Sequence, residues 1–530
     1  MKTSKKILSI LLAVMMILSI IPLTASAVEP TSGTCGDNLT WEYDSATYTL
    51  TISGTGSMYD YESDNRPWES YEDKIKGVSI TDGVNTIGDC AFYSFGSVES
   101  IAIPESISAI GKYAFNGCKK LTSITIPDSV TIINERTFAD CESLTNINLS
   151  DNVTTIGNRA FNSCKNLENI TIPEGVITIG NNAFSSCYSL KEIVIPDNVI
   201  SIGKEAFSVC KNLSNVNIPS SVTTIGEFAF SSCENLTTIV VDDENEYYST
   251  DENNSVLFNK DKTTLIHYLL CNTRISYIIP DSVTKISSEA FSGCENLTNI
   301  TIGKNVEVID NNAFVYCTGL TSLIIPDNVK TIGDYAFYNC FNIESVKIGN
   351  GVTSIGKYAF SLNEYLNPSK EMQLKELKLG NSVTTIGTYA FQDCKLLTSV
   401  TIPDSVITIG EGAFCDCQSL KDIKIGNGVT TIGTGAFYDC DSITEIIIPN
   451  SVTTIGPQAF SNCGNLKNII ISDSVTKISN SAFIYCSKLT DVYYTGTEEK
   501  WNEISIENYN QPLLDATIHY NYHIHEYNPL

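Results

Sequence analysis

The residues best suited to redox or nucleophilic chemistry in this sequence are its 18 cysteines. Fourteen of them occupy one position of a repeating pattern, from Cys118 to Cys486, so repetition explains their spacing without any pairing. Cysteines stacked at one position of a coil have parallel Cβ vectors, which is poor disulfide geometry. We therefore expect a column of buried, reduced thiols that fill space as apolar side chains do. The redox state of the other four cysteines stays open: Cys35, Cys90, Cys271 and Cys415.

Other candidates for catalysis or metal binding are weaker. His519, His523 and His525 alternate along the chain and could share one strand face, where a metal site is conceivable. No cysteine or carboxylate cluster completes a ligand set, and a solvated terminus is the simpler interpretation. The acidic run of residues 242–244 lacks the spaced ligands and glycine of a calcium loop. With four histidines in all, no Ser-His-Asp arrangement is supported, so we predict no enzyme, cofactor or metal.

The N-terminus indicates export. Three lysines within residues 1–6, an apolar run over residues 7–23 and Ala-Ser-Ala at 25–27 form a secretory signal peptide, residues 1–27. An uncleaved membrane anchor is the alternative; no other stretch could span a bilayer, so we expect no membrane insertion after cleavage. Removing three lysines and no acids changes the net charge from −27 to −30. That charge argues against nucleic acid or anionic membranes as partners and favours a secreted or cell-surface protein.

A repeat positions these residues. An Ala-Phe or Thr-Phe step recurs with a period of about 23 residues, which is typical of a solenoid whose unit cannot bury its apolar face alone. Sixteen copies carry the phenylalanine: Phe92, Phe115, Phe138, Phe161, Phe184, Phe207, Phe230, Phe291, Phe314, Phe337, Phe360, Phe391, Phe414, Phe437, Phe460 and Phe483.

One unit, residues 118–138, illustrates the physics. Ile124 and Ile126 alternate with a threonine, the period of a strand, and Pro127 ends that strand. The chain turns, and the Ala-Phe step follows on a short turn or 3₁₀ segment. Glycine in most copies, as at Gly111 and Gly157, predicts a positive φ there. Stacked units then form a right-handed coil with one long parallel sheet and turns opposite.

The unit C-x-x-L-x-x-I-x-I-P-x-x-V-x-x-I-x-x-x-A-F resembles the BspA-type leucine-rich repeats of bacterial surface proteins, over about residues 76–494. The resemblance implies an extracellular or cell-surface protein, in some members an adhesin for host proteins or other cells. It supplies no catalytic residues.

The repeats predict a solenoid over residues 75–494 between two caps. Residues 28–74 contain a β-hairpin, formed by residues 39–43 and 48–53, and residues 495–530 form a C-terminal cap with a helical and an extended segment. Whether the gene continues past residue 530 stays open. Two insertions break the period, at about residues 242–279, with a second hairpin, and at 361–373, which should leave the sheet continuous.

The exposed sheet face is the best candidate binding surface. The middle residue of each I-x-I step points outward; the first half of this series is read as small and neutral, and the second as basic and then apolar. The candidate contact residues are Lys347, Lys378, Lys424, Ile447, Ile470 and Tyr493. A solvated strand face, with charges offset by acids such as Glu376, is the alternative.

Two functions therefore compete. The first is adhesion or protein binding through this face, with an unidentified host or other cell-surface protein as the ligand. The second is a structural spacer or wall component that has no specific ligand. An enzyme is the least favoured class.

Overall fold

The computed structural model describes residues 30–362 and 369–523. The predicted signal peptide, part of the second insertion and His525 lie outside these ranges. The chain forms a coil of short parallel strands, which confirms the predicted solenoid class. Nearly every full turn contributes two strands, one from the I-x-I step and one from the Thr-Ile step that follows it; the I-x-I step at residues 170–172 forms no strand.

The strands of the I-x-I step form the I-x-I row, whose middle side chains point outward and whose flanking apolar side chains are mostly buried. The row comprises Gly77–Ile80, Ser100–Ala102, Ser123–Thr125, Asn146–Asn148, Glu192–Val194, Asn215–Ile218, Thr238–Val241, Ser276–Ile278, Asn299–Thr301, Ser322–Ile325, Ser345–Ile348, Glu376–Lys378, Ser399–Thr401, Asp422–Lys424, Glu445–Ile448, Asn468–Ile471, Asp491–Tyr494 and Thr517–His519.

The strands of the Thr-Ile step form the Thr-Ile row. They are Val84–Ile87, Ala109–Ile110, Ile132–Ile133, Thr155–Ile156, Thr178–Ile179, Ser201–Ile202, Thr224–Ile225, Thr264–Tyr268, Lys285–Ile286, Val308–Ile309, Thr331–Ile332, Ser354–Ile355, Thr385–Ile386, Thr408–Ile409, Thr431–Ile432, Thr454–Ile455, Lys477–Ile478 and Ser505–Ile506.

The long sheet is not where the I-x-I pattern predicts it. The I-x-I row is divided into hydrogen-bonded groups of two to four of its strands, although strands on either side of most divisions stay in contact. The longest sheet has 13 strands, 11 from the Thr-Ile row and two from the first insertion, and the Thr-Ile strands lie in a segment that the repeat pattern predicts as a turn. A two-residue strand with one inward isoleucine is too short for a period of two to reveal it.

The phenylalanine column stacks ring on ring opposite the I-x-I row. Within each run of consecutive units, ring centroids lie 4.7–5.7 Å apart with interplanar angles of at most 13°. Adjacent turns are joined by backbone hydrogen bonds at the same step, for example from Phe115 N to Thr137 O at 2.9 Å. Each ring therefore depends on its two neighbours for burial.

The repeat glycines are required for a different reason from the predicted one. Gly111 and Gly157 do not have positive φ; the left-handed residues come two positions later, at Tyr113 (φ 58°) and Arg159 (φ 55°). A Cβ on Gly157 would lie 2.8 Å from the carbonyl oxygen of Ile133 in the preceding turn. Glycine at position 157 permits close approach of two backbones, whereas the copies with Asn134, Ser287, Asp310 or Ser479 at this position accommodate a side chain.

The N-terminal end is closed by a three-stranded antiparallel sheet. Leu39–Asp44 and Thr49–Gly54 form the predicted hairpin, and Ser32–Gly36 adds a third strand that sequence analysis missed. The short strand Gly56–Ser57 and the 3₁₀ helix Glu69–Tyr71 follow. The Trp68 ring stacks on Phe92 at 5.9 Å and so begins the aromatic column.

The C-terminal end is closed by two short helices, Glu498–Asn502 and Gln511–Asp515. Trp501 is buried against Tyr494, with ring centroids 5.2 Å apart. In the repeats, the backbone N–H of each column phenylalanine donates to a carbonyl oxygen of the next turn. After the last repeat Asn510 provides this acceptor, because its Oδ1 accepts a hydrogen bond from Phe483 N at 3.0 Å. The predicted helical and extended segments are both present, the latter as strand Thr517–His519.

The first insertion divides the solenoid core. Its strands Tyr248–Thr250, Val256–Asn259 and Thr264–Tyr268 pair antiparallel in chain order. Side chains of the last two strands alternate between faces: Phe258 and Tyr268 pack into the C-terminal core, whereas Leu257 packs into the N-terminal core. We call this β-hairpin, residues 256–268, the partition hairpin. The buried residues accordingly form two separate clusters.

The partition hairpin also starts the second half of the molecule. Tyr268 takes the place of a column phenylalanine, since its ring stacks on Phe291 at 4.9 Å. Thr264 and Leu265 pair in parallel with Lys285 and Ile286, as a Thr-Ile strand would. The second insertion interrupts nothing: Ser345 still pairs with Glu376 across it, and the predicted continuity of the strands is confirmed.

A glycine substitution tests the close-approach argument. Gly157→Ala should destabilise the protein by about 1–3 kcal/mol because its methyl group would meet the backbone of the preceding turn. Gly96→Ala is the matched control: its Cβ would meet nothing nearer than 3.9 Å, so it should be neutral or slightly stabilising. Chemical denaturation measures both, and equal effects would contradict the steric explanation.

A ring deletion tests the partition. Phe314→Ala removes a fully buried ring stacked between Phe291 and Phe337, at a typical cost of about 3–5 kcal/mol. Because turns couple to their neighbours, hydrogen exchange should accelerate around residues 291–337. It should remain slow around Phe138, beyond the partition hairpin. Loss of protection spread evenly over both halves would show that the two cores unfold as one.

Candidate functional site

Successive turns of the I-x-I row bring the predicted lysines into one line. Lys347 is directly in register with Ile324 before it and Lys378 after it. Lys424 lies two turns further on, in register with Thr401. All three lysines are exposed, and we call them the lysine stripe. Adjacent strands lie about 4.8 Å apart, so Lys347 and Lys378 place like charges side by side.

The lysine stripe has acids nearby but no ion pair: Glu376 and Asp422 are exposed two residues before Lys378 and Lys424 on the same strands. None of its three ammonium groups forms a salt bridge with another residue of the described ranges, although Lys375 nearby pairs with Glu344 at 3.1 Å. Glu376, which sequence analysis proposed as an offsetting acid, makes no ion pair with them either. Adjacent lysines that form no ion pair can bind an external anion.

A groove accompanies the stripe. It has a volume of about 560 Å³ and is lined by Ile324, Lys347 and Lys378, with Leu377 in its floor. Leu377 is only half-buried, whereas Val346 at the same position of the preceding turn is buried. A second groove of about 540 Å³ continues around Lys424. Both combine apolar side chains with ammonium groups and carboxylates, Glu376 in the first groove and Asp422 and Glu445 in the second.

The apolar end of the predicted face is largely covered. Ile470 was predicted to be exposed, and this is wrong: its side chain is fully buried, with Ile447 and Tyr493 on the adjoining strands. Tyr493 is half-buried and stacks on His519 of the last strand at 4.7 Å. Ile447 is half-buried. The C-terminal cap therefore covers much of what the repeat pattern alone leaves open.

The exposed apolar surface lies on the other side of the lysine stripe. Ile278 and Ile324 are 72% and 64% exposed at outward positions of the same row, and Ile275, just before the strand, is 66% exposed. We call these three the isoleucine block. Describing the first half of the face as small and neutral was therefore wrong. The sequence alone could have predicted this apolar surface, because the middle residue of each I-x-I step faces solvent and Ile278 and Ile324 occupy that position.

The cysteine column is structural. All fourteen column cysteines are buried and free, as predicted, and the other four are free as well. In thirteen of the fourteen, Sγ donates a hydrogen bond to the carbonyl oxygen of the column phenylalanine in the preceding turn. Burial raises the pKa of Cys118 and Cys187 to about 12, so these thiols are protonated at neutral pH.

Two of the histidines, His267 and His519, are engaged in packing, whereas His523 is exposed. His519 bonds Asp491 at 2.8 Å, which lowers the pKa of that carboxyl, and its ring covers Tyr493. Burial lowers the pKa of His267, within the partition hairpin, to about 4. Among residues 30–362 and 369–523, no three metal-binding side chains come together.

The coil of repeated I-x-I strands, with a column of buried phenylalanines, defines the protein as a leucine-rich repeat solenoid. The family model described as "BspA type Leucine rich repeat region (6 copies)" matches residues 70–191, 177–264, 243–367 and 369–490. The chain therefore belongs to the BspA-type leucine-rich repeat family. Leucine-rich repeat proteins are in general non-enzymatic scaffolds that bind other proteins.

Solved structures of bacterial proteins are similar to this chain. A leucine-rich repeat protein from Eubacterium ventriosum is 24% identical over 82% of this chain and 95% of its own, with a TM-score of 0.49. A leucine-rich cell surface protein from Faecalibacterium prausnitzii is 26% identical over 90% and 98% of the two chains, with a TM-score of 0.38. No curated protein matches this sequence significantly. In the described part of the chain, no helix has the length and apolar character to cross a membrane.

Thiol titration tests the structural role of the cysteine column. Without denaturant, a thiol reagent at pH 8 should react with few groups, chiefly the half-buried Cys90 and Cys271. Guanidinium should release the column thiols, because only unfolding exposes them. The control variant Cys90→Ser/Cys271→Ser should lose the native reaction and keep the unfolded one. If unfolding of non-reduced protein released few new thiols, the column would be oxidised.

Proposed function

We propose that this protein is secreted or held at the cell surface and binds a protein partner through the exposed face of the I-x-I row. The signal-peptide pattern of residues 1–27 supports export. Membership of a protein-binding repeat family supports a partner that is a protein. Adhesion to a host or other cell-surface protein is the form of binding that this location favours.

The observation that carries the proposal is the lysine stripe, which forms no ion pair within the described ranges although the chain is strongly acidic. With a net charge of −27, most of the surface repels acidic molecules. Lys347, Lys378 and Lys424 form a local exception, and like charges on adjacent strands destabilise the free protein. An acidic partner would remove that repulsion by forming charge-assisted hydrogen bonds with the ammonium groups.

Charge reversal tests the proposal. The triple variant Lys347→Glu/Lys378→Glu/Lys424→Glu should lose at least tenfold in affinity, because three attractive contacts become repulsive. The matched control changes Thr125, Asn148 and Thr171 to glutamate at equivalent outward positions of the first half of the face. Proteins captured from surface extracts by the wild-type chain should be lost with the first variant and retained with the second.

Two outcomes would contradict this placement. Equal capture by both variants would remove the lysine stripe from the interface, and loss only with the control variant would move the interface to the first half. If the wild-type chain captured no protein specifically, the alternative of a structural spacer without a ligand would be favoured instead.

A further inference from the structure

The isoleucine block and the lysine stripe form one ordered surface. Along the outward positions of the I-x-I row, successive turns place Ile278, Thr301, Ile324, Lys347 and Lys378 in line. Together with Val194 in the N-terminal half, the isoleucine block contains the most exposed large aliphatic side chains among the described residues. Several exposed apolar side chains next to lysines that form no ion pair are typical of a docking surface.

We propose that the partner docks an acidic, amphipathic α-helix along the outward positions from Ile278 to Lys378. This inference rests on the proposed function. Its apolar side chains would cover Ile278 and Ile324, and its carboxylates would reach Lys347 and Lys378. Charge complementarity sets the acidic character, because neither lysine forms an ion pair with another described residue. The α-helices of the described ranges are five residues long, so these segments of a second copy could not fill the role.

Spacing favours a helix over an extended strand. Turns of the solenoid repeat about every 4.8 Å, one turn of α-helix rises about 5.4 Å, and same-face residues of a strand are about 6.7 Å apart. Over the four steps from Ile278 to Lys378 the helix would be out of register by about 2.4 Å, which flexible lysines can span. The strand would be out by about 8 Å, more than one full turn of the solenoid. A helix therefore matches one side chain to each turn.

The pattern required of the partner follows from this match. Side chains on one helical face recur at intervals of three or four residues. Apolar residues at positions 1 and 8 would meet Ile278 and Ile324, and acidic residues at positions 12 and 15 would meet Lys347 and Lys378. The threonine between the isoleucines, Thr301, accepts any small side chain at position 4 or 5.

The probe is a designed peptide with this pattern, labelled with fluorescein and long enough, at about 20 residues, to form a helix in isolation. Fluorescence anisotropy with the full chain should show binding that weakens at least tenfold for Lys347→Glu/Lys378→Glu and for Ile278→Asp/Ile324→Asp. These side chains are exposed, so circular dichroism should show the variants folded. A peptide with lysine at positions 12 and 15 should restore binding to the Lys347→Glu/Lys378→Glu variant.

Two control peptides make the test specific. One has the same composition with its glutamates on the opposite helical face, and the other carries two central prolines that break the helix. Both should bind at least tenfold more weakly, and equal binding by the proline peptide would overturn the helical mode. A captured partner that depends on the lysine stripe but is not displaced by the helical peptide would overturn this inference and leave the proposed function standing. Absence of any lysine dependence would overturn the proposed function itself.

Discussion

Close stacking of one turn on the next is the constraint on which the rest of the structure depends. A single repeat unit has no core of its own, and each phenylalanine, cysteine and inward isoleucine is buried by its equivalents on either side. Backbones approach so closely at Gly157 that a methyl group would not fit. The same spacing allows a thiol such as Cys141 to bond the carbonyl group of Phe115. The fold, the hydrogen bonds of the buried thiols and the pattern of the outward face all depend on the short spacing between successive turns.

The sequence predicts those features that repeat and misses those that depend on a single contact. The regular recurrence of the Ala-Phe step identifies the solenoid, its inward residues and the buried thiols of the Cys118 column. The partition of the core could not be predicted, because it depends on which side each residue of 256–268 faces once the hairpin is inserted. Likewise, Ile470 is buried although the repeat pattern places it outward, and Tyr493 beside it is covered by His519 of a strand that lies outside the repeat. The exposure of Ile278 and Ile324 could be predicted from their position in the I-x-I step. The error was to describe that half of the face as small and neutral.

Separation of roles by strand position explains how such a regular fold can carry specificity. Inward positions are restricted by stacking, so Val346 and Leu377 differ little from one turn to the next. The outward positions of the same strands are free to vary. In three consecutive turns these positions hold Ile324, Lys347 and Lys378. Adjacent lysines that form no ion pair, beside exposed isoleucine, make the free protein less stable and less soluble than a threonine face would. Such a surface is stabilised when a partner covers it.

The partition hairpin has a consequence for how the molecule responds to mechanical load. In an uninterrupted stack, peeling away the last turn exposes the next, and a pulling force applied at one end would unravel the coil turn by turn. Here Leu257 closes one core and Phe258 closes the other, so the turns on the far side remain covered when those on the near side have come apart. A chain tethered at one end and pulled at the other would therefore lengthen in two separate stages, with one half still folded after the first.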